Sequence, residues 1–425
     1  MLQTLRNAWK IEEIRKKILF TLLIVLLYRI GNAIPVPFVN TVMLQQYFAY
    51  LQNTALGLLD AMSGGSFSNA TIFALSIQPY INASIIIQLL CIAIPALERM
   101  SKDEGEEGRK KIASITRYST VAIGLLQGFG YYMLMKNNNI IVADASNSVW
   151  AAIIIILTFT SGSALIMWLG EQITEFGIGN GISIILFASI ISRFPNSVIT
   201  TIQNVANGSL PWWAAVLVFL GALALIVLIV WVNDAERRIP VQYAKRVVGR
   251  KMYGGQSTHL PMKVNMSGVM PIIFASSISS IPATIAAFTG HSDSAWAKTN
   301  TIPYAIIYLL LIIFFAYFYS TIQFNPIEVA NNLKKNGGYI PGFRPGKPTS
   351  EFIQKVLNKI TLFGAIYLGI IAVTPILVSH FSNAAALTGL SLGGTSIIIV
   401  VGVALETVRA IEAQMLMRNY KGFLS

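Results

Sequence analysis

The chain is short of charge. Of 425 residues only 12% are Asp, Glu, Lys or Arg, against about 25% in an ordinary soluble domain. So thin a polar coat cannot cover a water-soluble fold of this length, which excludes the soluble enzymes. Histidine is scarcer still: His259, His291 and His380 are far apart in the sequence, and no histidine metal cluster is expected. The single cysteine, Cys91, excludes an intramolecular disulfide and reads as a small packing residue. HExxH, CxxC and Walker A patterns are missing; Gly342 to Lys347 ends in Pro348 and lacks the phosphate-loop spacing. The glycine-rich run Gly177 to Gly181 follows no strand and reads as a turn opening a helix. Acids at mid-membrane depth are missing too. The embedded charges Arg29, Arg193, Glu406, Arg409 and Glu412 are each within reach of an interface, where snorkelling accommodates them. Glu406 and Arg409 have the i,i+3 spacing of a pair on one helix face. No metal and no cofactor is called for.

What the chain has is apolar length: 54% of it is hydrophobic. A hydrocarbon core of about 30 Å takes roughly 20 helical residues. Ten runs qualify, at about Ile18 to Ile34, Ile72 to Leu97, Tyr118 to Met135, Val149 to Leu169, Ile182 to Phe194, Trp212 to Val232, Gly268 to Phe288, Pro303 to Ile322, Ile360 to Phe381 and Thr395 to Met415. The fifth is short, and is expected to extend back through Gly179 and forward past Pro195. Numbering the loops alternately sends 26 of the 31 Lys and Arg to one side, with Lys136 and Lys298 on the other. The positive-inside rule makes the rich side cytoplasmic and puts both termini there. Five spans in each half, 1–195 and 196–425, would make the second half inverted relative to the first.

Three connections do not look like ordinary loops. Pro35 to Thr71 lies outside, has no Lys or Arg, and carries Asp60 as its only charge amid many apolar residues. From Thr54 to Met62 it is apolar but too short to span. Either it re-enters a cavity lined by protein or water, or it lies flat on the outer leaflet. Gly57 and the pair Gly64-Gly65 would give such an element flexible ends. The cytoplasmic loops 233–267 and 323–359 are long and basic, with turns at Asn336-Gly337-Gly338 and Pro341-Gly342 and a hairpin allowed in Ile239 to Val248. Their charge suits anionic lipid, nucleic acid or an acidic protein. On these features a protein channel, an ion-coupled transporter and a membrane enzyme all stay open, although the last two want a polar site at mid-depth that the spans do not show.

A set of motifs spread from the first span to the last narrows this. Arg29-Ile-Gly with Ile34-Pro-Val-Pro37, Ser63-Gly-Gly, Pro79-Tyr80 with Ala83 to Leu90, Glu107-Gly-Arg-Lys, Trp168 to Thr174, Gly177 to Ser183, Tyr243-Ala-Lys-Arg246, Gln256 to Pro261, Pro341-Gly-Phe-Arg-Pro345 and Gly393-Gly-Thr-Ser396 resemble the SecY/Sec61-alpha family over essentially the whole chain. The resemblance implies an all-α polytopic membrane protein: ten transmembrane helices in two inverted halves around an hourglass pore, with a re-entrant plug helix. It implies a gated channel, not an enzyme, that passes unfolded presecretory polypeptides across the bacterial plasma membrane and releases apolar segments sideways.

Carried over residue by residue, the family's pore ring falls on Ile77, Ile81, Leu186, Ile273 and Ile399. Its plug falls on Ala55, Leu56, Gly57, Leu58, Leu59, Asp60, Ala61, Met62, Ser63, Gly64, Gly65, Ser66 and Phe67, and its lateral-gate polar cluster on Gln88 and Asn265. Arg250, Lys251 and Arg344 become docking positions for the SecA ATPase or the ribosome. SecE, SecG, signal-bearing preproteins and anionic lipid complete the implied partners.

Overall fold

A computed structural model describes residues 2–51, 55–102, 104–142, 148–208, 211–243, 246–248, 251–253, 257–288, 301–381 and 394–421. A short amphipathic helix α1 (Leu2–Lys10) precedes α2 (Glu12–Gly31). Outside the first span come α3 (Thr41–Tyr50) and α4 (Ala55–Met62), then α5 (Gln78–Ala93), α6 (Pro95–Lys102), α7 (Gly105–Asn137), α8 (Val149–Phe176), α9 (Gly181–Ala206) and α10 (Trp212–Asp234). The remaining helices are α11 (Met270–Phe288), α12 (Ile302–Gln323), α13 (Pro326–Lys335), α14 (Lys347–Phe381) and α15 (Gly394–Lys421).

Each of the ten expected spans falls on a helix. Among the described residues, α8, α9, α10, α12 and α14 are individually long and apolar enough to cross a membrane. The second span departs from expectation at both ends. Ile72 to Ile77 is a run of turns, not helix, and the chain bends by 106° between α5 and α6. Ile94-Pro95 causes the bend: the residue before a proline is pushed out of helical geometry, and Ile94 is extended (φ −108°, ψ 113°). The fifth span is longer than its apolar run. It starts at Gly181, where the Asn180 side chain accepts from the Ile182 and Ser183 amides at 3.0 and 3.3 Å, and passes through Pro195. The helix therefore does not reach back to Gly179.

Two packed clusters organise the membrane part. One aliphatic cluster joins α2, α5, α8, α9, α11, α12, α14 and α15 through the middle of the molecule. A second gathers α3, α4, the turns from Phe67 to Leu75, and the outer ends of α7 and α8. In the loops after α10 and α12, β1 (Glu236–Tyr243) pairs antiparallel with β4 (Ser257–Lys263) and, on its other edge, with β5 (Gly338–Tyr339). The tip of that loop is a separate hairpin of β2 (Arg246–Val248) and β3 (Lys251–Tyr253). The hairpin allowed in Ile239 to Val248 is thus divided, because Ile239 and Val241 face the interior opposite β4 and only the end of the run turns back. The order β4-β1-β5 ties the two long basic loops into one sheet over Ile239, Val241, Met262, Ile340, Ile353 and Leu357.

Candidate pore, plug and gate

The five aliphatic positions expected to form a ring come from distant parts of the chain and fall in one buried cluster. Ile77 stands at the N-cap of α5, Ile81 one turn on, Leu186 on α9, Ile273 on α11 and Ile399 on α15. None is more than 3% exposed and all belong to the central cluster. The Ile81 amide donates to the Ile77 carbonyl at 3.0 Å, so the two side chains share a helix face. Arranged as a ring, side chains with no charge and no hydrogen-bonding group would stay dry, and dryness is a barrier to ions that makes no specific bond with a passing polypeptide.

Above it sits α4. Leu56, Asp60 and Met62 are buried, Gly57 lies inside the helix and not at its end, and the backbone alone is described at Ala55 and Leu58. Burial among α9 and α11 rules out a helix lying flat on the outer leaflet here. The turn after α4 is tightly bonded. Ser63 Oγ donates to the Asp60 carbonyl (3.0 Å) and accepts from the Phe67 amide (3.2 Å), and Ser66 Oγ donates to the Ser63 carbonyl (2.9 Å). Gly64 needs to be glycine twice over: its φ is +74°, and a Cβ there would lie 2.7 Å from the Ser189 carbonyl oxygen of α9. Phe67 stacks on Tyr131 at 4.1 Å between centroids, meets Phe48 edge-on at 5.3 Å, and accepts the Tyr131 hydroxyl on its carbonyl.

The ion pair at this turn was not expected. Asp60, 7% exposed at its side chain, accepts from Arg193 of α9 at 2.9 Å and from the Ser68 amide at 2.7 Å. Arg193 therefore does more than snorkel. The signal was in the sequence: a lone acid in an apolar stretch must find a partner to be buried.

The two polar positions expected at a gate have separate partners. Gln88 of α5 accepts the Tyr319 hydroxyl of α12 at 2.9 Å and donates to Ser84 at 3.1 Å. Asn265 instead donates to Asn233, at the end of α10, at 2.9 Å. In this structure α11 is in contact with α5 and α7, and Phe274 of α11 packs edge-on against Tyr319 at 5.1 Å. A cavity of about 350 Å³ lies along this seam under α4, lined by Leu59, Ser76, Asn82, Leu126, Ile281 and Thr284 among others.

Of the cytoplasmic positions, Arg250 lies outside the described residues, and Lys251 begins β3 with only its backbone described. Arg344 is exposed on a turn held from both sides. Thr349 Oγ1 donates to its carbonyl at 2.8 Å, the Phe343 amide donates to Ile340 at 3.0 Å, and Phe343 stacks on Phe352 at 4.2 Å. Arg409 bonds Asp234 of α10 at 2.5 Å and the Asn233 carbonyl at 3.1 Å, while its charge also acts on Glu406 one turn away. Partial burial and the charge of Arg409 together hold the β4 residue Lys263 below the ordinary lysine range. Among the described residues no three His, Cys, Asp or Glu gather as a metal would require.

The model of the SecY family matches residues 71–408. The chain belongs to the SecY family. It is 45% identical to the protein translocase subunit SecY of Streptomyces scabiei and 43% identical to that of Mycobacterium tuberculosis, over the full length of both chains in each case. Solved structures share the fold. A protein-conducting channel superposes with a TM-score of 0.66 at 17% identity, covering 95% of this chain and 93% of the other. A SecY structure whose plug domain stabilizes the closed state of the translocation channel gives 0.65 at 16%, covering 95% and 92%. Sec61 in the canine ribosome-channel complex gives 0.64 at 16%, covering 95% and 93%. The SecY fold is a multi-pass membrane channel, not an enzyme.

Proposed function

We propose that this chain is the protein-conducting subunit of a Sec translocase in the bacterial plasma membrane, with both termini cytoplasmic and the halves 1–195 and 196–425 forming the two sides of its pore. Unfolded presecretory chains cross it outward, and apolar segments leave it sideways between α5 and α7 on one side and α11 and α12 on the other. What supports this reading is that Ile77, Ile81, Leu186, Ile273 and Ile399 all lie in one buried, largely apolar cluster together with Met62 of the re-entrant helix α4. Such a centre has nothing to hold a solute or relay a proton, but it can yield around a side chain of any kind.

The other assignments belong to the same reading. Residues 55–67 form the plug. Gln88 belongs to the gate, where its bond to Tyr319 is a weak tie between helices that must part. Asn265 serves that gate from the cytoplasmic end, through the link between β4 and α11. Arg344 and the hairpin tip with Arg250 and Lys251 receive SecA or the ribosome, SecE and SecG bind at the flanks, and anionic lipid meets the basic face.

Reconstitution with SecE, SecG and SecA in proteoliposomes tests this. ATP-dependent uptake of a signal-bearing preprotein is expected, with negligible small-solute uptake when SecA and preprotein are left out. Solute uptake in their absence would overturn the channel in favour of a transporter.

A further inference from the structure

Helix α11 grows directly out of the β4-β1-β5 sheet. Strand β4 ends at Lys263 and α11 begins at Met270, and the link between them, 264–269, is held along its length. The Val264 amide donates to the Ala235 carbonyl, between α10 and β1, at 2.9 Å. Asn265, buried, donates to Asn233 at the end of α10 at 2.9 Å, and Ser267 Oγ turns back to the Asn265 side chain at 3.5 Å. Neighbouring helices make room for this link by lacking side chains. A Cβ at Gly364 of α14 would lie 2.8 Å from the Val264 carbonyl oxygen, and one at Gly402 of α15 would run into the Val269 side chain. Gly268 itself has φ +61°, and faces Glu406 of α15 so closely that a Cβ there would lie 2.8 Å from its Oε1. Arg409, one turn further along α15, bonds both Asp234 and the Asn233 carbonyl. The end of α10 that holds Asn265 is thereby held to α15 in its turn.

The side chains of Arg409 and Asp234 are 35% and 55% exposed, and an ion pair that wet adds little to stability. What it does supply is position, because one guanidinium fixes a carboxylate and a backbone carbonyl together. We propose that Arg409 is a positioning residue that closes a socket around the 264–269 link, so that a shift of the β4-β1-β5 sheet is delivered to α11 and not absorbed between them. Coupling between distant sites is carried by contiguous bonded and packed elements. Here the path is one strand, a link whose polar groups are tied to α10, and one helix, with α14 and α15 as the walls. This rests on the reading of the basic loops as a docking surface and of α5 and α11 as gate helices, and the experiment checks each of these in the parent protein.

Ile86 of α5 and Ile285 of α11 are both exposed along the cavity between these helices. Labels on Ile86→Cys and Ile285→Cys, with Cys91→Ser, report the distance between them in proteoliposomes that also hold SecE and SecG. The measurements are SecA affinity, the change in label distance when SecA binds, and preprotein uptake. Arg409→Gln is expected to leave SecA affinity unchanged while the distance change and uptake fall together, several-fold. Arg409→Lys should restore most of both. Two glycines inserted between Met266 and Ser267 give the link slack without touching the ion pair, and should act like Arg409→Gln. A full distance change in either uncoupled variant would overturn the socket, as would a loss of SecA affinity in Arg409→Gln, which would make Arg409 part of the docking surface. If the parent binds no SecA the docking reading fails, and if it binds SecA with the labels unmoved the gate reading fails, and the socket with it in either case.

Discussion

The pore centre and the cytoplasmic platform solve opposite problems. At the proposed centre, Ile77, Ile81, Leu186, Ile273 and Ile399 arrive from four separate elements in one buried cluster and offer only apolar carbon. On the platform, Arg344 is held out into water by a turn whose neighbours are hydrogen-bonded and stacked, and the loop behind it is stitched to another by a sheet. One region must yield to anything and recognise nothing. The other must stay in place and be recognised. Aliphatic packing is non-directional and deforms at low cost, while backbone ladders and stacked rings fix a shape. A channel driven from outside needs both, kept apart.

The comparison can be broken most severely at the centre. Ile399→Asp places a charge where burial costs about 2.5–3.5 kcal/mol and wets the annulus; resting ion flux should rise by an order of magnitude or more in planar bilayers. A variant as tight as the parent would mean the dry ring is not the barrier. On the platform the same kind of change should have the converse signature. Arg344→Glu should abolish most SecA-driven export while resting flux, membrane insertion and SecE binding stay normal, and undiminished export would remove Arg344 from the docking surface. The smallest effect is expected between the two regions. Tyr319→Phe removes the donor to Gln88, a tie worth about 0.6 kcal/mol, and should modestly improve uptake of weak-signal preproteins. Unchanged uptake would make that bond incidental to the gate.

The two regions also differed in how well the sequence announced them. Hydropathy located a helix at each of the ten expected spans, because crossing a bilayer constrains composition residue by residue. The same one-dimensional logic reached the re-entrant α4, since an apolar stretch too short to span has few places to go. Ring side chains had no local signature: Leu186 or Ile273 looks like any lipid-facing aliphatic, and the family motifs alone singled them out. Pairings between distant segments stayed hidden. Nothing in Gly338-Tyr339 says that it will extend the sheet begun by Glu236, and Arg409 had a plausible partner in Glu406 until α10 brought Asp234 closer. Two misses were avoidable. Ile94-Pro95 carries its bend in the dipeptide, and Asp60, the only charge between Pro35 and Thr71, should have been matched at once to a nearby membrane arginine.

The turn bearing Arg344 leads directly into α14, Lys347–Phe381, whose one interior proline, Pro375, comes in its last two turns. At 1.5 Å per residue its 35 residues make a rod of about 52 Å, stiff enough to act as a lever whose foot is the proposed docking turn. A tilt of about 5° at that foot would swing the far end by some 4 to 5 Å, on the scale of a whole helical turn. A motor pressing on the platform would then move the opposite face of the membrane in the same stroke, without any signal having to pass through the yielding centre.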